Sequence, residues 1–298
     1  MSEFPSLASF KPSAGKRFFI GFDSDGCVFD TMETKHKECF APVTIWKWDL
    51  QAVSRYAREC HEFVNLYSKY RGINRFPAVV RTLELLAQRP QARARGYKLP
   101  ELRPLKEWIA TEKALGNSTL KACVARTADP ELKRTLEWSE AINARVEEMV
   151  YGVPPFPGVR EFLEAVHRDC DMIVVSATPT EALNREWREH EIEKYVHLIC
   201  GQELGSKEEH LRGTCAGRYA AANILVVGDA FGDYRAARAN GALFFPILPG
   251  NEEASWARLL KEAWPRLTAG TYAGEYQEAL IREMDRILPE KPPFETQA

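Results

Sequence analysis

The sequence predicts an α/β fold, a core built on a mostly parallel sheet and interrupted after its first strand by an α-helical insertion. Three observations carry this. Short apolar runs ending in turn residues, "RFFIGFD", "DMIVVSAT", "NILVVGDA" and "GALFFPI", alternate with helical patterns such as "GVREFLEAVHRD" and "GDYRAARAN". Such alternation is what builds parallel sheets. Residues 31–152 contain no such run and repeat their apolar residues at helical spacing only. Charge divides the same way. Residues 31–152 carry 21 Lys and Arg against 15 Asp and Glu, whereas the remainder carries 19 against 27.

Taken in order, residues 1–30 form the first part of the core. Phe18 to Phe22 is a run apolar enough for a strand buried on both faces. Asp23 and Asp25 follow it at once, and Gly26 lets the chain turn away from them. Residues 31–152 form the helical insertion. There Val53, Tyr56, Cys60, Phe63, Val64 and Tyr67 share one helix face, with Asp49 as the expected N-cap. A second helix, "FPAVVRTLELLAQRP", stops at Pro90. A third starts with Asp129 as N-cap and Pro130 in its first turn, and buries Leu132, Leu136, Ile142, Val146 and Met149. The Pro- and Gly-rich "YGVPPFPGV" marks the return to the core, whose second part is 153–288. Residues 289–298 read as a loose tail.

The remaining sequence features narrow the class. No apolar stretch approaches the roughly 20 residues of a membrane span, and the amino terminus lacks the charged start and apolar stretch of a secretory signal. Seven scattered cysteines without a CxxC pair read as reduced thiols in a cytoplasmic protein. His61, His167, His190, His197 and His210 stand at no metal-ligand spacing and read as ordinary core or surface histidines. The basic stretch 89–103 has only Tyr97 interleaved as an aromatic, which argues against a nucleic-acid partner. A basic insertion beside an acidic core suits a small anionic ligand.

Parallel α/β sheets bind ligands at the carboxyl ends of their strands. Asp23, Ser176 and Asp229 each end a different strand. Lys207 lies in "GSKEE", a capping-box pattern with Ser206 as N-cap and Glu209 three residues on. A lysine at the positive end of a helix is locally unfavourable, so something outside the helix has to hold it there. For Asp233 the purely structural alternative is the N-cap of the helix beginning "YRAARAN", a role compatible with a second one at a site.

The series "DSDG", "VVSAT", "GSKEE" and "GDAFGD", in that order across the core, resembles the haloacid-dehalogenase-like (HAD) superfamily of phosphohydrolases. The insertion sits where one subgroup of that superfamily carries a helical cap. The resemblance implies a Rossmann-like core and a Mg2+ ion held by Asp23, the backbone carbonyl of Asp25, Asp229 and Asp233. It makes Asp23 the nucleophile that forms an aspartyl-phosphate, and Asp25 the acid that protonates the leaving oxygen and then activates water. Ser176, with the backbone N–H groups of Ala177 and Thr178, would hold phosphate oxygens, and Lys207 would neutralise charge beside Asp23.

The substrate expected is a small phosphorylated metabolite, with Lys35, Arg71 and Arg75 of the cap as residues that meet its body. Asp25 speaks for phosphoryl chemistry, since the dehalogenases of the superfamily replace it. A phosphomutase or phosphonatase is the alternative. Several mutases have a histidine where this chain has Lys35, with His36 one step later, and Lys47 and Lys69 are the lysines open to a phosphonatase. A non-catalytic phosphate-binding module is the remaining reading.

Overall fold

The computed structural model describes residues 6–296, and the chain divides into two compact units. The first comprises the described residues up to Met32 together with Gly152–Leu288; the second comprises Glu33–Tyr151 and the described residues from Pro289.

The first unit is built on a five-stranded sheet, β1 (Phe18–Phe22), β2 (Cys170–Val175), β3 (Leu198–Cys200), β4 (Ile224–Gly228) and β5 (Leu243–Pro246), ordered β3-β2-β1-β4-β5. Every pairing is parallel. The apolar runs read from the sequence are these strands, and every residue of β1, β2 and β4 is buried, as a sheet covered on both faces requires. The three-residue β3 was not foreseen, because "LIC" is too short to show a period.

This strand order decides where a site can form. From β1 the chain winds outward through β2 to β3, then crosses back to β4 on the other side of β1. The carboxyl ends of β2, β1 and β4 therefore lie side by side at the point where the winding direction reverses, the usual ligand crevice of such sheets. No helix among the described residues is long and apolar enough to cross a membrane.

The second unit is helical, with its own core. The helix Pro130–Met149 begins with Asp129 accepting from the N–H groups of Glu131 and Leu132 and buries Leu132, Leu136 and Ile142, as read from the sequence, whereas Val146 and Met149, expected in the same stripe, are only half-buried. Trp138 lies outside that stripe yet is fully buried, its indole donating to Thr44 Oγ1 at 3.0 Å. The helix Ser54–Asn65 buries Cys60, Phe63 and Val64, whereas Tyr67 falls beyond its end and donates to Glu33. Asp49 is not its N-cap. A 3-10 turn, Gln51–Val53, precedes the helix, and Asp49 sits at φ 54° with its carboxylate paired to Arg134. Asn74 caps Arg75–Ala87, and Pro90 opens a short further helix, Pro90–Ala94. The tail, expected to be loose, belongs to this unit. Pro289 accepts from the Lys69 N–H, and the Phe294 ring packs edge-on against Phe63 with the Arg89 guanidinium 4.0 Å above it. One half-buried aromatic, Phe294, supplies the apolar contact that composition alone did not reveal.

His61 gives this unit an acid sensitivity. Its ring is buried, 3.2 Å from His36 Nδ1, and burial, with the nearby Arg58 charge, lowers its pKa from 6.5 to about 3. The unfolded chain thus takes up a proton below about pH 6.5 that the native ring refuses. Stability from His61 is fully present above that pH and is lost as the pH falls towards 3. Urea midpoints should therefore fall on acidification, with this one residue contributing a slope of up to about 1.4 kcal/mol per pH unit. His61→Gln should flatten the profile by that proton, and an unchanged slope would show that His61 does not carry it.

Candidate active site

The first unit brings the four sequence motifs together. Asp23 leaves β1 with its N–H still donating to Val227 O at 2.9 Å, so the β1–β4 ladder holds its backbone. Its Oδ1 accepts from the Ser24 N–H at 2.8 Å, and its Oδ2 lies 2.7 Å from Lys207 Nζ. The following turn is pinned from below, with the Trp187 indole donating to Ser24 Oγ at 3.1 Å and the Trp256 indole to Cys27 O at 2.9 Å. Gly26 takes φ +74°, a conformation costly for residues with a side chain, and returns the chain so that its N–H reaches Phe29 O.

Lys207 is the first residue of the helix Lys207–Thr214. The capping box forms as expected, Ser206 Oγ accepting from the Glu209 N–H and the Glu209 carboxylate from the Ser206 N–H. The local cost of a cation at this helix end is offset by two carboxylates, since Lys207 Nζ also lies 2.6 Å from Asp233 Oδ1. Asp233 is not an N-cap. It is the third residue of Phe231–Ala239, and its Oδ2 reaches back to accept from the N–H of Ala230, the residue at the cap. Asp229, at the end of β4, is 2% exposed.

Carboxylate oxygens of Asp23, Asp229 and Asp233 all lie within 4.8 Å of one another. Burial pushes the Asp23 carboxyl well above its usual range, with Asp233 and Asp229 adding to the rise and Lys207 opposing it. Asp233 is raised for the same reasons. Burial alone would lower Lys207, but Asp23 and Asp233 outweigh it and hold the ammonium charged. Three buried carboxylates so close together repel one another, and their all-oxygen donor set suits a hard divalent ion such as Mg2+. The residues present therefore fit the metal that the motifs imply.

Asp25 occupies the turn after β1. Both its oxygens accept hydroxyls, Oδ1 from Thr31 and Oδ2 from Thr178 at 2.7 Å. Thr31 escaped the sequence reading because a lone threonine six residues from an aspartate has no pattern of its own. Ser176 follows β2, buried, with its N–H on Cys200 O at 2.9 Å and its Oγ 3.2 Å from the Thr178 nitrogen. Ala177, exposed, stands between them.

Lys35, Arg71 and Arg75 belong to the helical unit. Lys35 is buried at the start of a π-helical stretch, Lys35–Phe40. The Arg71 guanidinium donates to Leu66 O at 3.0 Å. Arg75 Nη1 donates to Ser139 O, Ser139 Oγ and Asn143 Oδ1, and its guanidinium packs on the Phe40 ring. Burial lowers its pKa to about 10. The contacts named here lie within the helical unit.

No family model matches the chain, and no curated protein does. Solved structures do. A haloacid dehalogenase-like hydrolase from Streptococcus pneumoniae is 12% identical with a TM-score of 0.44, over 80% of this chain and 90% of that one. A predicted phosphoglycolate phosphatase from Haemophilus somnus is 16% identical with a TM-score of 0.46, over 78% and 86%. A hydrolase from Pseudomonas syringae is 13% identical with a TM-score of 0.44, over 92% and 100%. Likeness at this level assigns no activity, which has to rest on the site.

Proposed function

We propose that this chain is a magnesium-dependent phosphohydrolase of the HAD type, cleaving a small phosphorylated metabolite through an aspartyl-phosphate on Asp23. The observation that carries the proposal is the buried cluster of Asp23, Asp229 and Asp233, whose carboxylate oxygens lie within 4.8 Å of one another with Lys207 against Asp23 and Asp233. Such a cluster at the carboxyl ends of parallel strands suits a site that completes itself with a cation and an anion.

Each residue has a task that its position supports. Asp23, Asp229 and Asp233, with the Asp25 carbonyl, would hold the ion, whose charge would remove the repulsion between a phosphate dianion and the Asp23 carboxylate. Asp23, steadied by Ser24 N–H and Lys207, attacks phosphorus. An Asp23 O–P bond forms as the ester O–P bond breaks, and the leaving oxygen takes the proton of Asp25. Water then attacks the aspartyl-phosphate, Asp25 takes back a proton, and Asp23 is released as carboxylate. The hydroxyls of Thr31 and Thr178 fix the orientation of the Asp25 carboxyl for both transfers. The Ser176 hydroxyl and the backbone N–H groups of Ala177 and Thr178 would donate to phosphate oxygens. The helical unit would select the body of the substrate. Lys35, Arg71 and Arg75 are the candidates there.

Metal binding by this cluster gives a test independent of turnover. Mg2+ should raise the Tm of the wild type, and Asp229→Asn should remove most of that shift. A generic aryl phosphate should be hydrolysed with Mg2+ and not with a chelator. A Tm indifferent to Mg2+, or full turnover in the chelator, would overturn the assignment.

A further inference from the structure

The turn 176–178 carries the expected phosphate donors and runs directly into the next helix. The helix that follows, Thr180–Glu189, is preceded at its cap position by Pro179, whose side chain cannot cap. Glu203, from the connection after β3, takes the place of that cap. Its Oε2 accepts both the Thr180 N–H at 2.9 Å and the Thr180 hydroxyl at 2.6 Å. Thr180 itself is 1% exposed, so these donors have little water to turn to.

Two further features stitch the same stretches together. The Gln202 N–H donates to Thr178 O at 3.1 Å. Gly201 lies so close that a Cβ there would meet the Thr180 nitrogen at 2.5 Å and Thr178 O at 2.6 Å, so only glycine permits the approach. Burial tends to raise the Glu203 carboxyl, but the Thr180 hydroxyl and amide more than offset it and leave the pKa below its ordinary value. The carboxylate form is the one that makes these contacts. Lys207 follows four residues later on the same connection, so this short segment supports the phosphate turn at one end and reaches Asp23 at the other.

We propose that Glu203 is a positioning residue for phosphate, holding the turn of Ser176, Ala177 and Thr178 in register by accepting both donors of Thr180. The inference rests on the phosphohydrolase reading. Glu203 touches no reacting atom in this scheme; it acts through Thr180. Because both donors converge on one oxygen, a glutamine carbonyl, with its two lone pairs, can replace it, and alanine cannot.

The test compares Glu203→Ala and Glu203→Gln, with an aryl phosphate as substrate and inorganic phosphate as inhibitor. Donors that grip the phosphoryl group before and during reaction contribute uniform binding, so their loss should appear in KM more than in kcat. In Glu203→Ala, inhibition by phosphate should weaken roughly tenfold and KM should rise with it, while kcat changes less than about threefold. Glu203→Gln should stay within about threefold of wild type in both. Amide exchange in a peptide spanning 176–183 should quicken in the alanine variant alone. Unchanged phosphate inhibition in Glu203→Ala, or equal losses in both variants, would overturn the proposal. A wild type that neither hydrolyses the ester nor binds phosphate would overturn the phosphohydrolase reading, and this proposal with it.

Discussion

Asp23→Asn should lose hydrolysis by roughly a thousandfold or more while keeping its fold, because a carboxamide oxygen is too weak a nucleophile to displace an alkoxide from phosphorus. Asparagine is nearly isosteric. Its oxygen can still accept from Lys207 or from the Ser24 N–H, the two contacts that hold Asp23. The substitution also removes one of three crowded buried carboxylates, so the metal-free Tm should stay level or rise. The two readouts together separate a lost nucleophile from a damaged fold. Activity within tenfold of wild type would remove Asp23 from the role of nucleophile. A large fall in Tm would show that its charge is needed structurally.

Lys207→Met should have the second largest effect, and it should strike stability as well as turnover. The ammonium lies 2.7 Å from Asp23 and 2.6 Å from Asp233, all three groups being largely buried. Methionine fills a similar volume but leaves the carboxylates without their counter-ion, a change that in buried pairs costs on the order of 3–5 kcal/mol. Turnover should be lost as well, because nothing then balances charge beside Asp23. The pH dependence gives a sign to check. Carboxyls whose folded-state pKa is raised further by the loss bind protons more readily in the native than in the unfolded state. The stability deficit of the variant should therefore shrink as pH falls from 8 to 5, and Mg2+ should recover part of it at pH 8. A variant as stable as wild type at pH 8 would mean that the cluster is already protonated and that Lys207 balances little charge.

The sequence by itself determined the class of fold and the participants at its centre. Five-residue apolar runs such as "FFIGF" and "ILVVG" can be satisfied only inside a sheet, and the residue that ends each run is then fixed at the carboxyl edge. That placed Asp23, Ser176 and Asp229 before any coordinate did. The Ser206–Glu209 capping box and the Asp129 cap were legible because their partners lie within three residues of one another. The tertiary structure decided whatever depends on residues far apart in the chain. Lys207 reaches Asp23 across 184 positions, and Thr178 reaches Asp25 across 153. Glu203 caps a helix that begins 23 residues before it. Local rules even pointed away from two outcomes, making Asp49 and Asp233 caps when Arg134 and Lys207 claim their carboxylates. A side chain's short-range preference is worth about 1 kcal/mol at a cap, and a paired charge in a buried cluster is worth more. Propensity can therefore name the residues of a site, but only the fold settles which of them meet.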